Sequence, residues 1–138
     1  MPCRRLFSDN LNVVDSTVQA LTEPGLYDRL EELSASLADG LKSAAAQAGR
    51  QITINRLGSM MTVFFNADPV KDYQDAMRSD TAAYAKFLHA MLQGGVYLPP
   101  AQFEAMFVSA AHQQDDIDQT VATAEIAFKS CLDNTENT

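Results

Sequence analysis

Between Leu26 and Ala48 the apolar residues fall on a single helical line. Leu26, Leu30, Leu33, Leu37, Leu41, Ala44 and Ala48 recur at intervals of four, three, four, four, three and four, the spacing of one face of an α-helix. Burying a leucine contributes roughly 1.5–3 kcal/mol, an upper bound before chain entropy is counted. Such a stripe demands a surface to pack on, and the rest of a 138-residue chain has to supply it. That length suits one hydrophobic core. Pro24 is expected in the first turn of the helix, where its missing N–H costs nothing, and Gly49 is expected to end it.

The remaining segments read as shorter elements. Gln51-Ile52-Thr53-Ile54-Asn55 alternates, which predicts a strand with Ile52 and Ile54 inward, broken by Leu57-Gly58. Ser59-Met60-Met61-Thr62-Val63-Phe64-Phe65 is apolar on both faces apart from Ser59 and Thr62, the pattern of a central strand covered on both sides. Asn66-Ala67-Asp68-Pro69 is turn chemistry, and Tyr73–Ser79 fits no single template. Ser79-Asp80 predicts a cap for a helix with Tyr84, Phe87, Leu88, Met91 and Leu92 on one face, closed by Gly94-Gly95. Val96-Tyr97-Leu98 is expected as a short strand stopped by Pro99-Pro100, and Phe103 with Met106-Phe107-Val108 as another extended segment.

The last helix opens with Asp115, Asp116 and Asp118, charges that complement the positive end of its dipole. Its stripe is Ile117, Val121, Ala124, Phe128 and Leu132. Upstream, Asp9 to Ser16 would cap a short, weakly periodic helix reaching about Leu21. Helices and strands interleave without a regular βαβ repeat, which predicts an α+β fold. We expect a small antiparallel or mixed sheet of three to four strands covered by helices as a two-layer sandwich. The folded unit is placed at 22–132, after a less patterned 1–21 and before a polar tail at 133–138.

A net charge of −8 argues against nucleic acid, whose affinity comes from neutralised phosphates, and against anionic membrane surfaces. No run approaches the roughly 18 apolar residues of a membrane helix, and the N-terminus lacks a secretion signal. A cytoplasmic protein is expected, with Cys3 and Cys131 reduced and incidental.

Candidate chemistry is sparse. His89 lies beside the apolar stripe of its helix, and His112 lies where a strand segment gives way to a helix; neither shares a ligand spacing with the cysteines, so no metal site is expected. The Asp115-Asp116-Asp118 cluster lacks the glycine and spaced glutamate of a calcium loop. No phosphate-cradling glycine motif exists, and the methionines Met60, Met61, Met77, Met91 and Met106 read as core filler. The exception is Pro99-Pro100-Ala101-Gln102-Phe103-Glu104-Ala105-Met106-Phe107. Two prolines stiffen this loop, and it holds Gln102 and Glu104 between apolar anchors, the way a rigid loop presents polar groups. An exposed glutamate with no function fits the same residues.

Several runs in order resemble one family. They are Thr22-Glu23-Pro24-Gly25-Leu26-Tyr27, Gly58-Ser59-Met60 with Phe64-Phe65, Asp72-Tyr73-Gln74-Asp75-Ala76, Ser79-Asp80, Gly95-Val96-Tyr97-Leu98-Pro99-Pro100, Gln102-Phe103-Glu104-Ala105 and Ala111-His112. Together they resemble the C-terminal small domain of glutamate-1-semialdehyde 2,1-aminomutase, a pyridoxal-phosphate-dependent family of the class-III aminotransferase type that makes 5-aminolevulinate for tetrapyrroles. The resemblance implies that Glu104 reaches an active site from the small domain, where related aminotransferases carry an arginine for a substrate carboxylate. It would disfavour that carboxylate and help orient the amino group. Gln102, its neighbour, is the candidate for substrate binding.

The departures matter as well. The family's cofactor lysine and phosphate loops belong to a large domain absent from this sequence, and Lys42, Lys71, Lys86 and Lys129 lie in nothing like the cofactor-lysine segment. Ala101 stands where serine is usual, and Gln113-Gln114 replaces the usual threonine cap. The resemblance therefore implies no cofactor for this chain alone, pyridoxal phosphate in the full-length family, no aminomutase activity alone, and a large domain as partner. The alternative is a free-standing, non-catalytic binding or oligomerisation module with the same fold. Self-association is expected under either reading, because the face that would meet a large domain is apolar. An independent enzyme using His112 and Glu104 as an acid–base pair is the third reading.

Overall fold

The computed structural model describes residues 13–131. Elements are numbered in chain order. Helix α1 covers residues 13–21, and Val13, Val14, Val18 and Leu21 on it are exposed. Helix α2, Leu26–Gln47, is the leucine-striped helix: Leu33, Leu37, Leu41, Ala44 and Ala45 are buried, and Leu26 and Leu30 are half-buried. Its N-cap is Gly25, in the left-handed region at φ 81°, so Pro24 sits in the preceding turn and not in the first helical turn as the sequence suggested.

At its other end Gly49, at φ 67°, lets the chain reverse. The Gly49 N–H donates to Ala46 and the Arg50 N–H to Ala45, the paired bonds of a Schellman ending. Helix α4, Thr81–Gln93, ends in the same way. Gly95 has φ 83°, with Gly95 donating to Leu92 and Val96 to Met91.

The strands are β1, Thr53–Leu57, and β2, Met60–Phe64, paired antiparallel with Leu57 opposite Met60 and Thr53 opposite Phe64. The first strand thus runs two residues later than its alternation suggested and includes Leu57, because the hairpin turns on Gly58-Ser59. Strand β3 is only Met106–Phe107, antiparallel to β2 with Met61 opposite Met106. The sheet order is β1-β2-β3, so β2 is central. Val96–Leu98 joins no ladder, although it lines one cleft with Met106 and Phe107 of β3. Phe103 lies in a turn and not in an extended run.

Helix α3, Tyr73–Met77, resolves the ambiguous segment; Asp72 caps it by accepting from the Asp75 N–H at 2.8 Å. Asp80 caps α4 by accepting from Ala83 at 2.9 Å. Helix α5, Gln114–Ser130, opens with the Gln113 N–H donating to Asp116 at 2.7 Å. The aspartate that complements the dipole therefore also satisfies one of the helix's free N–H groups.

One face of β2 gives Met61 and Val63 to the main core, with Ile54 and Met106 packed against it. Phe65, Phe87 and Phe128 meet in its centre, with Phe87 and Phe128 stacked at 4.4 Å. The other face is only partly covered. Phe64 packs with Val70 and Ala76, while Leu57, Met60 and Phe107 are 77%, 40% and 65% exposed. The expectation of a strand covered on both sides thus holds at Phe64 and fails at Met60. Met61 and Met91 are core, whereas Met60 and Met77 are exposed. The readings for Cys3, Leu132, the cap region before residue 13 and the tail lie outside the described residues.

Candidate functional site

The loop after Pro99 is held from below. The Tyr84 hydroxyl, from the first turn of α4, donates to the Pro99 carbonyl at 2.7 Å. Gln102 is 3% exposed. With its amide oriented to suit both neighbours, it accepts from the Phe65 N–H at 2.6 Å and donates to the Asp80 carbonyl at 3.3 Å. The Glu104 N–H donates to Ala101 at 3.1 Å, closing a turn. Glu104 itself is exposed. A rigid turn thus places one carboxylate in solvent beside the half-exposed ring of Phe103, which lines a 300 Å³ depression with Phe64, Val70, Tyr73 and Ala76.

Burial, and after it the negative charge of Glu104, push the Tyr84 phenol above its ordinary pKa. Tyr84 therefore stays a neutral donor to Pro99, and its phenol registers the Glu104 charge. Sequence reading did not single out Tyr84 for this. It lay on the apolar stripe of its helix, and nothing local distinguishes a core tyrosine from one whose hydroxyl ties down a loop.

The histidines stand apart. His112 lines a 360 Å³ cleft with Leu98, Met106, Asp116 and Thr120, a lining that does not include Glu104. Its Nδ1 accepts from the Ser109 N–H at 2.9 Å, and its carbonyl accepts from Arg29 at 3.0 Å, which is turn-building work. The structure does not bring His112 and Glu104 together as an acid–base pair. His89 is exposed on α4 beside Lys86, Gln93 and Ser130.

Among the described residues no three metal-capable side chains converge, and no helix is long and apolar enough to cross a membrane. Lys42, Lys71, Lys86 and Lys129 are all exposed. None of the four is buried in an apolar pocket of the kind that activates a Schiff-base amine by desolvation. Cys131 is buried, and burial pushes its thiol up, away from reactivity.

The three-stranded antiparallel sheet with its packed helices is an open α+β fold, and the solved structures it resembles are class-III aminotransferases. The chain superposes on a glutamate-1-semialdehyde aminomutase from Pseudomonas aeruginosa with a TM-score of 0.69 at 15% identity, over 80% of this chain and 24% of that one. A pyridoxal-phosphate form of a Sphingopyxis protein matches with a TM-score of 0.66 at 28% identity, over 84% and 25%. By sequence the chain matches the carboxyl-terminal part of the glutamate-1-semialdehyde 2,1-aminomutase family, pyridoxal-phosphate-dependent enzymes of the aminotransferase type. It is 49% identical over 118 residues to that enzyme from Pelotomaculum thermopropionicum, 86% of this chain and 27% of the relative. It is 50% identical over 113 residues to that of Myxococcus xanthus, 82% and 26%. The chain thus spans about a quarter of the length of these relatives. No protein-family profile matches it.

Proposed function

We propose that this chain supplies the small-domain side of an aminomutase-type active site, with Glu104 as its carboxylate. Without a large domain carrying the cofactor, it does not convert glutamate 1-semialdehyde to 5-aminolevulinate. The observation that carries this reading is an exposed carboxylate on a turn fixed from both sides, in a chain about half identical to the aminomutases. Pyridoxal phosphate, held by the large domain, supplies the electron sink for moving the amino group. This chain contributes charge: a carboxylate at Glu104 attracts the substrate's ammonium group and repels a carboxylate brought to the same place. No cofactor-binding residue is assigned to the chain alone. A cytoplasmic setting fits the buried thiol of Cys131.

Two measurements test this. The chain incubated with pyridoxal phosphate and glutamate 1-semialdehyde is expected to form no 5-aminolevulinate; its formation overturns the inactivity. Grafting residues 22–131 onto the Pelotomaculum enzyme in place of its matching quarter is expected to give an active aminomutase. In that graft Glu104→Gln should lower kcat/KM by about tenfold or more, equal to ~1.4 kcal/mol of transition-state stabilisation. An unchanged value removes Glu104 from the site.

A further inference from the structure

Three backbone and side-chain groups close a ring beneath the loop. The Asp80 N–H donates to the Phe65 carbonyl at 2.9 Å. The Phe65 N–H donates to the Gln102 amide oxygen at 2.6 Å, and the Gln102 amide nitrogen donates to the Asp80 carbonyl at 3.3 Å. Phe65 leaves the end of the central strand and Asp80 is the N-cap of α4, so the side chain of Gln102 takes the place of a peptide group bridging strand to helix. Both ends of the amide are engaged, one as acceptor and one as donor, and the residue is 3% exposed. The second N–H and the second oxygen lone pair are enclosed with it, so the amide works inside the fold and not at its surface.

We infer that Gln102 is a positioning residue, whose buried amide, together with the Tyr84 hydroxyl on Pro99, sets where the Glu104 carboxylate stands. The inference rests on the reading of Glu104 as the site carboxylate, and it gives Gln102 a role in place of direct substrate contact. The physical reason is chain length. Glu104 is two residues from the ring and its N–H is tied back to Ala101, so little backbone freedom remains between the anchor and the carboxylate. Tyr84, from the first turn of α4, feels the charge of Glu104, so the ring, the hydroxyl and the carboxylate form one local unit. The chemistry also defines which residues can serve at position 102. A methionine of similar length has no donor and only a weak sulfur acceptor. An ionised glutamate accepts from Phe65 but cannot donate to Asp80; a protonated glutamate can do both.

The test uses the 138-residue chain itself. In the wild type, a through-hydrogen-bond coupling between the Phe65 amide nitrogen and the Gln102 side-chain carbonyl carbon is expected, of the kind the β1–β2 ladder shows. Its absence while ladder couplings are visible overturns the inference without any variant having to fold. In Gln102→Met, amide exchange at Phe65 should rise about tenfold or more relative to Val63, as loss of a buried partner implies. The response of the Tyr84 ring-carbon shift to Glu104→Gln should fall by half or more. Gln102→Glu keeps an acceptor for Phe65 in either protonation state, so Phe65 protection should stay near that of the wild type. The Tyr84 response should fall at neutral pH as in Gln102→Met and recover as the pH is lowered and the carboxyl gains the proton it can donate to Asp80. A Tyr84 response to Glu104 as large in Gln102→Met as in the wild type, or protection of Phe65 unchanged there, overturns the positioning role. The two readings fail separately. If Glu104→Gln leaves the grafted enzyme's kcat/KM unchanged, the function assigned to Glu104 fails while the ring results stand. If the ring results fail, the positioning role fails whatever Glu104 does.

Discussion

Tyr84 shows how much one side chain can decide in a small domain. Its ring meets Phe65 edge-on at 5.9 Å, its hydroxyl holds Pro99, and its body is 5% exposed. Replacing it with phenylalanine keeps the ring contact and deletes the bond. We expect a loss near 1 kcal/mol, toward the low end because the half-buried Pro99 carbonyl can recruit water. The pH dependence is more diagnostic. A phenol whose folded pKa is raised binds its proton more tightly in the native state, so its contribution is fully present below the ordinary tyrosine value of about 10 and is lost as pH rises through the folded value. Urea midpoints of wild type and Tyr84→Phe should therefore converge between neutral and strongly alkaline pH. A stability difference that holds constant across that range rules the linkage out. Glu104 enters here too, since its charge is the second cause of the shift: Glu104→Gln should move the loss of stability to lower pH.

Between elements, contact is made where side chains are small. Helices α2 and α5 meet at Gly40, where an added Cβ would stand 2.4 Å from Cγ2 of Val121 and 3.1 Å from its Cγ1. Valine is stiff at χ1, so it cannot swing aside, and the helices themselves must part. Gly40→Ala gains roughly 1 kcal/mol of helix propensity, but overpacking a tight interface costs about 1–3 kcal/mol. The net is a loss of about 0–2 kcal/mol, and Val121→Ala in the same chain should turn the Gly40→Ala substitution from destabilising to stabilising. Thermal melts of the wild type, the two single variants and the double variant measure it; additive effects would show that the two residues do not meet. The sequence displayed the helices only in part. The leucine stripe and the glycine endings at Gly49 and Gly95 were legible because period and left-handed φ leave local marks. The Gly40 contact was not, since a glycine inside a helical pattern carries no sign of what approaches it. Val96–Leu98 misled for a related reason. Its apolar character is genuine, since Leu98 is buried, but the segment faces β3 across a cleft and forms no ladder with it, and a local pattern does not show which neighbour it will meet. Gln102 is the same lesson at the site: a polar residue in a proline-stiffened loop reads as exposed, and only the positions of Phe65 and Asp80, far away in sequence, bury it.

At the scale of the whole molecule, the two faces of the sheet are unequal. One face carries the core, whereas the other leaves Leu57, Met60 and Phe107 largely bare, and α1 adds Val13, Val14, Val18 and Leu21 to the exposed apolar surface. We propose that in a longer aminomutase-type chain, of which this one matches about a quarter, this surface meets the remainder. In the chain by itself the same surface favours meeting a second copy. Charge opposes this, because each copy carries a net −8 and like charges repel over a Debye length of about 10 Å at 0.1 M salt. Association should therefore strengthen with salt, the reverse of an ion-paired interface. Light scattering across a concentration series is expected to show mass rising with concentration, more steeply at about 0.5 M salt, where screening shortens that length roughly twofold, than at low ionic strength. Phe107→Lys, which places a charge on the β3 edge of the bare face without touching the core side of the sheet, should return the chain to a monomer. A wild type that stays monomeric at every concentration in both salts shows that the bare face does not pair copies of the chain. A Phe107→Lys chain that associates as before moves the contact elsewhere, with the exposed face of α1 as the surface to substitute next.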